Sequence, residues 1–465
     1  MAVAAAYGLY LLWVIVRLFR RYPSGEADYL VAGRRLTLPA FVATLVATWY
    51  GGILGVGEYG WSHGVSNWLV FGVPYYLYAA IFALVLARRA RRTRALSPCD
   101  QLEAAWGRPA ALVGAGMLFV MTAPAAYVLM LGVLIRMATG WPLWAAVAVG
   151  TAFSVGYVFR GGLRAVVATD QVQFVLMFAG FLMIVPVCTV KFGGIGWLRA
   201  HIPPAHFTAD GGLGWQAVAV WYAIAAATLA EPAFYQRCYA AVDERTARTG
   251  IFVSIGFWVL FDFLTTSAAL YARALVPDLA DPVAAFPALA SIALPDLWEG
   301  LFIVALLATI MSTVDSYSFI AAATLGRDLL RRRRLPPGAL LGQEDPGNLR
   351  SVRWSLAATA LVATALALWS QSVVALWKTL GSLGTPVLLL PLLFAHLGWV
   401  ANDAAARRRV AWGMALAGLV SGGWLLAGRG GPYLGVEAIF PGLAVSASLV
   451  LPAVRRRATV TGSPG

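Results

Sequence analysis

Apolar runs of about twenty residues follow one another along almost the whole chain, and charged residues are confined to short clusters between them. A run of that length crosses the hydrocarbon core of a bilayer as a single helix. The chain of 465 residues is 60% hydrophobic and 12% charged, whereas soluble domains average about 25% charged residues. The sequence therefore predicts an all-α integral membrane protein, with the lipid bilayer as its surroundings.

We predict thirteen membrane spans from these runs. Their approximate bounds are 2–18, 37–62, 66–87, 108–136, 141–159, 169–190, 214–236, 249–273, 298–326, 353–370, 374–397, 410–427 and 434–453. Alternating the loops between two sides places all but four of the 33 arginines on one side, the exceptions being Arg136, Arg199, Arg273 and Arg429. Because cytosolic loops carry the excess of basic residues, we predict a plasma (inner) membrane protein with an external N-terminus and a cytosolic C-terminus.

The net charge of +14 does not indicate nucleic-acid binding, because the basic residues lie in loops between spans. No phosphate-binding loop of the G-x-x-x-x-G-K-[ST] type occurs, and the four histidines lack the spacing of metal ligands. Nor does any nucleophile–base arrangement stand out. We therefore expect neither an enzyme nor a nucleic-acid-binding protein, with no organic cofactor and no obligatory protein partner.

The most informative span contains a stripe of hydroxyl side chains. Thr309, Ser312, Thr313 and Ser316 recur at i, i+3, i+4 and i+7, which places them on one face of a helix. Hydroxyl oxygens suit hard cations such as sodium, so the stripe is compatible with an ion site. Alternatively, such hydroxyls bond back to carbonyls one turn earlier or pack against a neighbouring helix. The spacing leaves both interpretations open.

Two spans contain features that disturb a membrane helix. Gly51 and Gly52 lie in the glycine-rich segment ATWYGGILGVGEYG, which fits either close helix packing or an unwound helix. In the segment TLAEPAFYQR, Pro232 removes a backbone donor and Glu231 places a carboxylate within an apolar run. That carboxylate lies either in a hydrated pathway or at the cytosolic interface close to Arg237.

Five segments together resemble the sodium:solute symporter family and occur in that family's order. They are DYLVAGRRL (28–36), ATWYGGILGVGEY (47–59), GGLRAVVATDQVQ (161–173), FYQRCYAAVDERTAR (234–248) and ATIMSTVDS (308–316). The resemblance implies a LeuT-type fold built from two inverted repeats of five helices. The implied organisation is a leading helix and cytosolic loop (1–36), a first repeat (37–190), a second repeat (214–397) and two trailing helices with a short tail (398–465).

The resemblance also implies a sodium site between the first and eighth core helices. Its ligands would be the carbonyls of Ala47, Tyr50 and Thr309 and the hydroxyls of Ser312 and Thr313. Asp170 matches an acidic residue that the family uses in sodium release and cytosolic gating. Sodium would be the coupling ion.

A solute site is implied beside the two disturbed spans. Its candidate residues are Trp49, Gly51, Gly52, Ala227, Thr228, Glu231 and Lys378. Lys378 would either offset Glu231 or face an anionic solute. The expected function is sodium-coupled uptake of a small polar organic solute by alternating access, and the solute itself is not readable. The alternatives are a proton-coupled or uncoupled carrier of the same fold, and a solute-sensing membrane module.

Overall fold

The computed structural model describes residues 25–93, 95–336, 341, 346–369, 373–401 and 403–455, and the predicted span 2–18 lies outside them. Ten helices in this part are long and apolar enough to cross a membrane, and one bent pair makes an eleventh span. The helices are α1a (Leu38–Trp49) and α1b (Ile53–His63), α2 (Trp68–Arg92), α3 (Arg108–Thr139), α4 (Leu143–Gly161), α5 (Leu163–Phe192), α6 (Val218–Ala240), α7 (Glu244–Leu275), α8 (Asp296–Arg334), α9 (Gly347–Trp369), α10 (Leu376–Leu397) and α11 (Ala404–Ala427). The last predicted span is the shorter apolar helix α12 (Ile439–Ala453), so eleven of the thirteen predicted spans are found at full length in the described residues.

The first of these spans is broken near its middle. α1a and α1b meet at an angle of 57° across a break of three residues. The break falls at Gly51 and Gly52, where the helix is unwound and the backbone also packs closely against neighbouring side chains, so both interpretations of the glycine-rich segment apply. An unwound stretch leaves backbone groups that are free to bind an ion or a solute.

α6 is broken as well, at the point where the sequence carries Glu231 and Pro232. A 3-10 turn, Ala226–Ala230, precedes Glu231, which is extended, and Pro232 begins the next α-helical segment. Proline disfavours a helical conformation in the residue before it, and it is well accommodated at the first position of a helix. The proline thus both ends one helical segment and starts another.

α1a lies at the centre of the helix packing, against α5, α7 and α8. Small residues allow these helices to approach closely: Gly250 of α7 faces the Phe41 ring, and Gly180 of α5 faces Ala305 of α8. Such contacts are typical of membrane helices, where close packing replaces the hydrophobic driving force available in water. On the predicted external side, the short helix Ala285–Ala293 covers α1b and places Phe286 against Gly57.

α6 and α8 extend beyond their predicted ends, which corrects the placement of several arginines. Arg237 was predicted to lie in a cytosolic loop, but it belongs to α6 and is fully buried. Arg327 and Arg332 were predicted to lie in the cytosolic loop between the spans 298–326 and 353–370, but they continue α8 and are also buried. The physical reason is that each of these guanidinium groups finds acidic or hydroxyl partners on other helices, and that compensates for the loss of water.

The two buried arginines at the end of α8 are held by a cluster of acidic residues. Arg327 donates to Glu26 at 2.6 Å and to Asp100 at 2.8 Å. Arg332 donates to Asp100 at 2.7 Å and pairs with Glu103. The cluster therefore joins α8 to two short helices, Glu26–Val31 and Pro98–Trp106, on the predicted cytosolic side.

Asp100 is the member shared by both arginines. Burial by itself would raise the Asp100 pKa, but Arg327 and Arg332 outweigh burial and hold this pKa below its ordinary value. The ionised carboxylate therefore stabilises the fold at pH values above about 4, and this contribution is lost as the pH falls below that value.

We expect the substitution Asp100→Asn to lower the free energy of unfolding by about 3 kcal/mol, because it leaves two buried guanidinium groups short of a carboxylate. The measurement is the apparent melting temperature in detergent at neutral pH. The control is Glu244→Gln, which removes the partner of Arg92 in an exposed ion pair and should change the melting temperature little. Equal melting temperatures for the two variants would contradict a structural role for this cluster.

Candidate functional site

The break in α1 lies directly against the hydroxyl stripe of α8. A Cβ atom at Gly51 would overlap the side chain of Thr313, and a Cβ atom at Gly52 would overlap the ring of Trp377. Gly52 has an ordinary negative φ of −81°. The glycines are therefore needed here for close approach, and backbone strain is not the reason for them.

The four hydroxyls of the stripe are buried, and they do not all behave alike. Thr309 donates its hydroxyl to the carbonyl of Ala305 one turn earlier, at 2.7 Å. This is the local bond that the alternative interpretation of the stripe foresaw. The hydroxyls of the other three residues bond to groups on other helices.

Two of these bonds connect the stripe to the end of α1a. The Thr313 hydroxyl donates to the backbone carbonyl of Thr48 at 2.7 Å, and the hydroxyls of Ser316 and Thr48 are 2.9 Å apart. The carbonyls at the C-terminal end of a helix lack partners within the helix and carry its partial negative charge. Oxygen atoms from two helices thus collect at the break.

Asp170 of α5 completes this group of oxygens. Ser312 donates to one carboxylate oxygen at 2.6 Å, and Thr44 donates to the other. The guanidinium of Arg237 lies 3.8 Å from the second oxygen, and both side chains are fully buried. The carboxylate is therefore held by a cation and two hydroxyls, as a charge out of contact with water requires.

Arg237 was not among the residues predicted for the site. One nitrogen of its guanidinium donates to Ser316 at 2.7 Å, to Thr48 at 2.9 Å and to Thr44 at 3.1 Å. The spacing of Thr44 and Thr48, at i and i+4, was visible in the sequence and would have placed two hydroxyls on one face of α1a. No local signal showed that Arg237 turns inward, since arginines at helix ends usually lie at the membrane surface.

A cavity of about 180 Å³ lies beside the two broken helices. Five of the seven predicted solute-site residues line it, together with Tyr50 from the predicted sodium set. The five are Trp49, Gly52, Ala227, Thr228 and Glu231. The hydroxyl of Thr228 is buried and has no hydrogen-bond partner among the described residues. An unpartnered buried hydroxyl is costly, and a polar solute in this cavity would provide the missing partner.

The other two predicted residues lie elsewhere. Gly51 faces Thr313 and does not line the cavity. Lys378 lies in a neighbouring cavity and donates to Glu437 at 2.7 Å. Lys378 is therefore paired with Glu437 and does not offset Glu231.

Six aromatic residues of the cavity wall were missed by the sequence reasoning. They are Phe71 and Tyr75 of α2, Tyr127 of α3, Trp221 of α6, Tyr317 of α8 and Trp377 of α10. They are scattered over five apolar spans, and aromatic residues are common in such spans. Only the arrangement of the helices shows that their rings meet.

The two broken helices, and the cavity between them, define the class of protein. A Na+-coupled sialic acid symporter, solved in a substrate-bound outward-open state, superposes with a TM-score of 0.80 over 97% of this chain and 96% of that chain, at 17% identity. That likeness shows the fold, and it agrees with the predicted LeuT-type architecture.

The family model of the sodium:solute symporter family matches residues 29–398, and the chain belongs to that family. The sodium/pantothenate symporter of Haemophilus influenzae is 27% identical over 186 residues, which are 38% of this chain and 38% of that protein. The high-affinity proline transporter of Bacillus subtilis is 26% identical over 306 residues, which are 63% of this chain and 60% of that protein. The chain thus matches 38% and 60% of the length of these two relatives, which are transporters and not enzymes.

The close approach at the α1 break can be tested with Gly51→Ala. We expect this variant to lose stability and any response to sodium, because the added methyl group pushes α1 away from Thr313. The measurement is the apparent melting temperature with and without sodium chloride. The control is Gly156→Ala in α4, where the added methyl group meets open space. Indistinguishable results for the two variants would contradict the proposed contact between the break and the stripe.

Proposed function

We propose that this protein couples the inward flow of sodium to the uptake of a small polar organic solute by alternating access. The observation that carries the proposal is the collection of oxygens between α1a, α5 and α8. Ser312 and Thr313 both act as hydrogen-bond donors, to Asp170 and to the Thr48 carbonyl. Because both hydroxyl hydrogens point at these acceptors, the lone pairs of both hydroxyl oxygens remain available to a cation.

The proposed sodium ligands are these two hydroxyls with the carbonyls of Ala47, Tyr50 and Thr309. The Thr309 hydroxyl donates to the Ala305 carbonyl, and the ligand proposed from this residue is its backbone carbonyl. Oxygen ligands are the ones that hard cations prefer. Sodium bound here would join α1a to α8 and so favour one arrangement of the helices over another.

Asp170 is proposed to assist sodium release towards the cytosol without being a permanent ligand. Its carboxylate is shared between Ser312, Thr44 and Arg237. A change in helix packing that separates Ser312 from Asp170 would alter a sodium ligand and a buried ion pair together. Asp170 therefore links ion binding to the position of α5.

The solute is proposed to bind in the cavity beside Trp49, Gly52, Ala227, Thr228 and Glu231. The breaks in α1 and α6 support the assignment of two repeats, 37–190 and 214–397, because broken helices at corresponding positions mark the binding site in such transporters. The inner-membrane location, the external N-terminus and the cytosolic C-terminus are part of the same proposal and rest on the distribution of arginines.

The available driving force is sufficient for accumulation. A membrane potential of about 100 mV contributes about 2.3 kcal/mol per charge, and a tenfold sodium gradient adds about 1.4 kcal/mol. One sodium ion would thus support an accumulation of roughly several-hundred-fold for a neutral solute.

The sodium site is tested with Ser312→Ala and Thr313→Ala. We expect each variant to require about tenfold more sodium for half-maximal effect, because each removes one oxygen ligand. Sodium chloride is titrated against potassium chloride at constant ionic strength, with tryptophan fluorescence and melting temperature as readouts. No solute needs to be known for this measurement.

Ser318→Ala is the matched control, since Ser318 is a buried serine on the same helix with no hydrogen-bond partner among the described residues. It should respond to sodium like the unmodified protein. If all three variants behave alike, the ligand assignment is wrong. A response to pH in the absence of any sodium effect would favour the proton-coupled carrier.

A further inference from the structure

The cavity between the broken helices has an unusual combination of walls. Aromatic rings form a large part of it, among them those of Trp49, Phe71, Tyr75, Tyr127, Trp221 and Trp377. These rings come from α1, α2, α3, α6 and α10 and contact one another, as Trp49 does edge-on against Tyr75 with ring centroids 5.5 Å apart. The face of an aromatic ring carries negative charge density and attracts a cation.

The charged residues that line the cavity are all acidic. They are Glu231 and Asp262, and no lysine, arginine or histidine lines the cavity in the described part of the chain. Asp262 is buried and accepts a hydrogen bond from Tyr76. Glu231 is only partly buried, so it is the carboxylate more available to a solute.

Glu231 is oriented by two donors that both reach the same oxygen. Tyr317 donates to Oε1 at 3.0 Å, and the backbone N–H of Ala233 donates to Oε1 at 3.3 Å. Oε2 accepts no hydrogen bond, and Glu231 forms no ion pair within the described residues. The start of the helical segment at Pro232 also favours a negative charge at this point.

Two basic residues on helices that line the cavity have partners elsewhere. Lys378 is paired with Glu437 in the neighbouring cavity. Arg237 bonds to Thr44, Thr48 and Ser316 and lies beside Asp170. An anionic solute would therefore face two carboxylates and no lysine, arginine or histidine in this cavity.

We propose that the solute carries a positively charged nitrogen, which binds among these aromatic rings with its charge directed at Glu231. Aromatic enclosure is the usual way in which proteins recognise alkylated ammonium groups. Gly52 lines the same cavity just before the N-terminus of α1b, where the partial positive charge of the helix favours an anion. A solute that carries a carboxylate as well as the charged nitrogen would therefore be tolerated there. This inference deepens the proposed function and rests on it.

The test compares solutes of matched shape and different charge, in saturating sodium. Choline is compared with its uncharged carbon analogue dimethylbutanol and with the anion dimethylbutyrate. Ethanolamine is compared with ethylene glycol and glycolate, and glycine betaine represents a zwitterion. Melting temperature and tryptophan fluorescence are the readouts, because Trp49, Trp221 and Trp377 line the cavity.

We expect at least one ammonium compound to stabilise the protein more than its uncharged and anionic counterparts. In Glu231→Gln its affinity should fall about tenfold or more, because the carboxylate facing the cation is lost. Trp377→Leu should weaken it further than Trp377→Phe, which retains an aromatic face. Glu299→Gln, at the far end of α8, is the control for loss of a carboxylate and should have no effect.

The result that overturns the inference is stabilisation by an anionic or uncharged solute in preference to every ammonium compound, or no stabilisation by any ammonium compound. An ammonium effect that is unchanged in Glu231→Gln and in Trp377→Leu would overturn it equally. These outcomes are separable from failure of the proposed function, because the response to sodium alone is measured first. A protein that responds to sodium and not to ammonium compounds would remain a sodium-coupled carrier of another solute.

Discussion

The arrangement of the core depends on a carboxylate and a guanidinium that are both fully buried. Asp170 and Arg237 belong to α5 and α6, and hydroxyls of α1a and α8 complete their hydrogen bonds. Removing either charge would leave the other unpaired in an apolar surrounding, which costs several kcal/mol. The pair therefore fixes the relative positions of four helices, and these are the helices that form the candidate ion and solute sites.

The two broken helices are tolerated because side chains supply hydrogen-bond partners at each break. Each break frees backbone groups that need partners within the membrane. At α1 the Thr48 carbonyl accepts a hydrogen bond from the Thr313 hydroxyl, and at α6 the N–H of Ala233 donates to the Glu231 carboxylate. At each break a side chain thus supplies a hydrogen-bond partner for one of the freed backbone groups. The other backbone groups and side chains at the breaks line a cavity. The positions that disturb the helices are the same positions that provide polar groups for binding.

The site divides into two regions with different chemistry. Neutral and acidic oxygens collect between α1a, α5 and α8, whereas aromatic rings and Glu231 enclose the neighbouring cavity. Tyr50 belongs to both regions, since it is a proposed sodium ligand through its carbonyl and also lines the cavity. A change in the position of the end of α1a would therefore alter the binding of both sodium and solute, which is the coupling that a symporter requires.

Much of this protein was readable from the sequence because the relevant signals are local. Apolar runs established the membrane helices, the spacing of Thr309 to Ser316 established a hydroxyl face, and Pro232 and the Gly51–Gly52 pair marked the breaks. Motifs in order along the chain indicated the family that the comparison then confirmed.

Other features depended on residues far apart in the chain, and only the tertiary structure decided them. Arg237 bonds to Thr44, which is 193 positions away, and Lys378 pairs with Glu437, 59 positions away. The helical period assigns a side chain to a face of its own helix, but it does not say which helix covers that face. For this reason the sequence determined the class of protein and the oxygen-rich stripe, whereas the packing of the helices decided the burial of Arg237, the partner of Lys378 and the aromatic walls of the cavity.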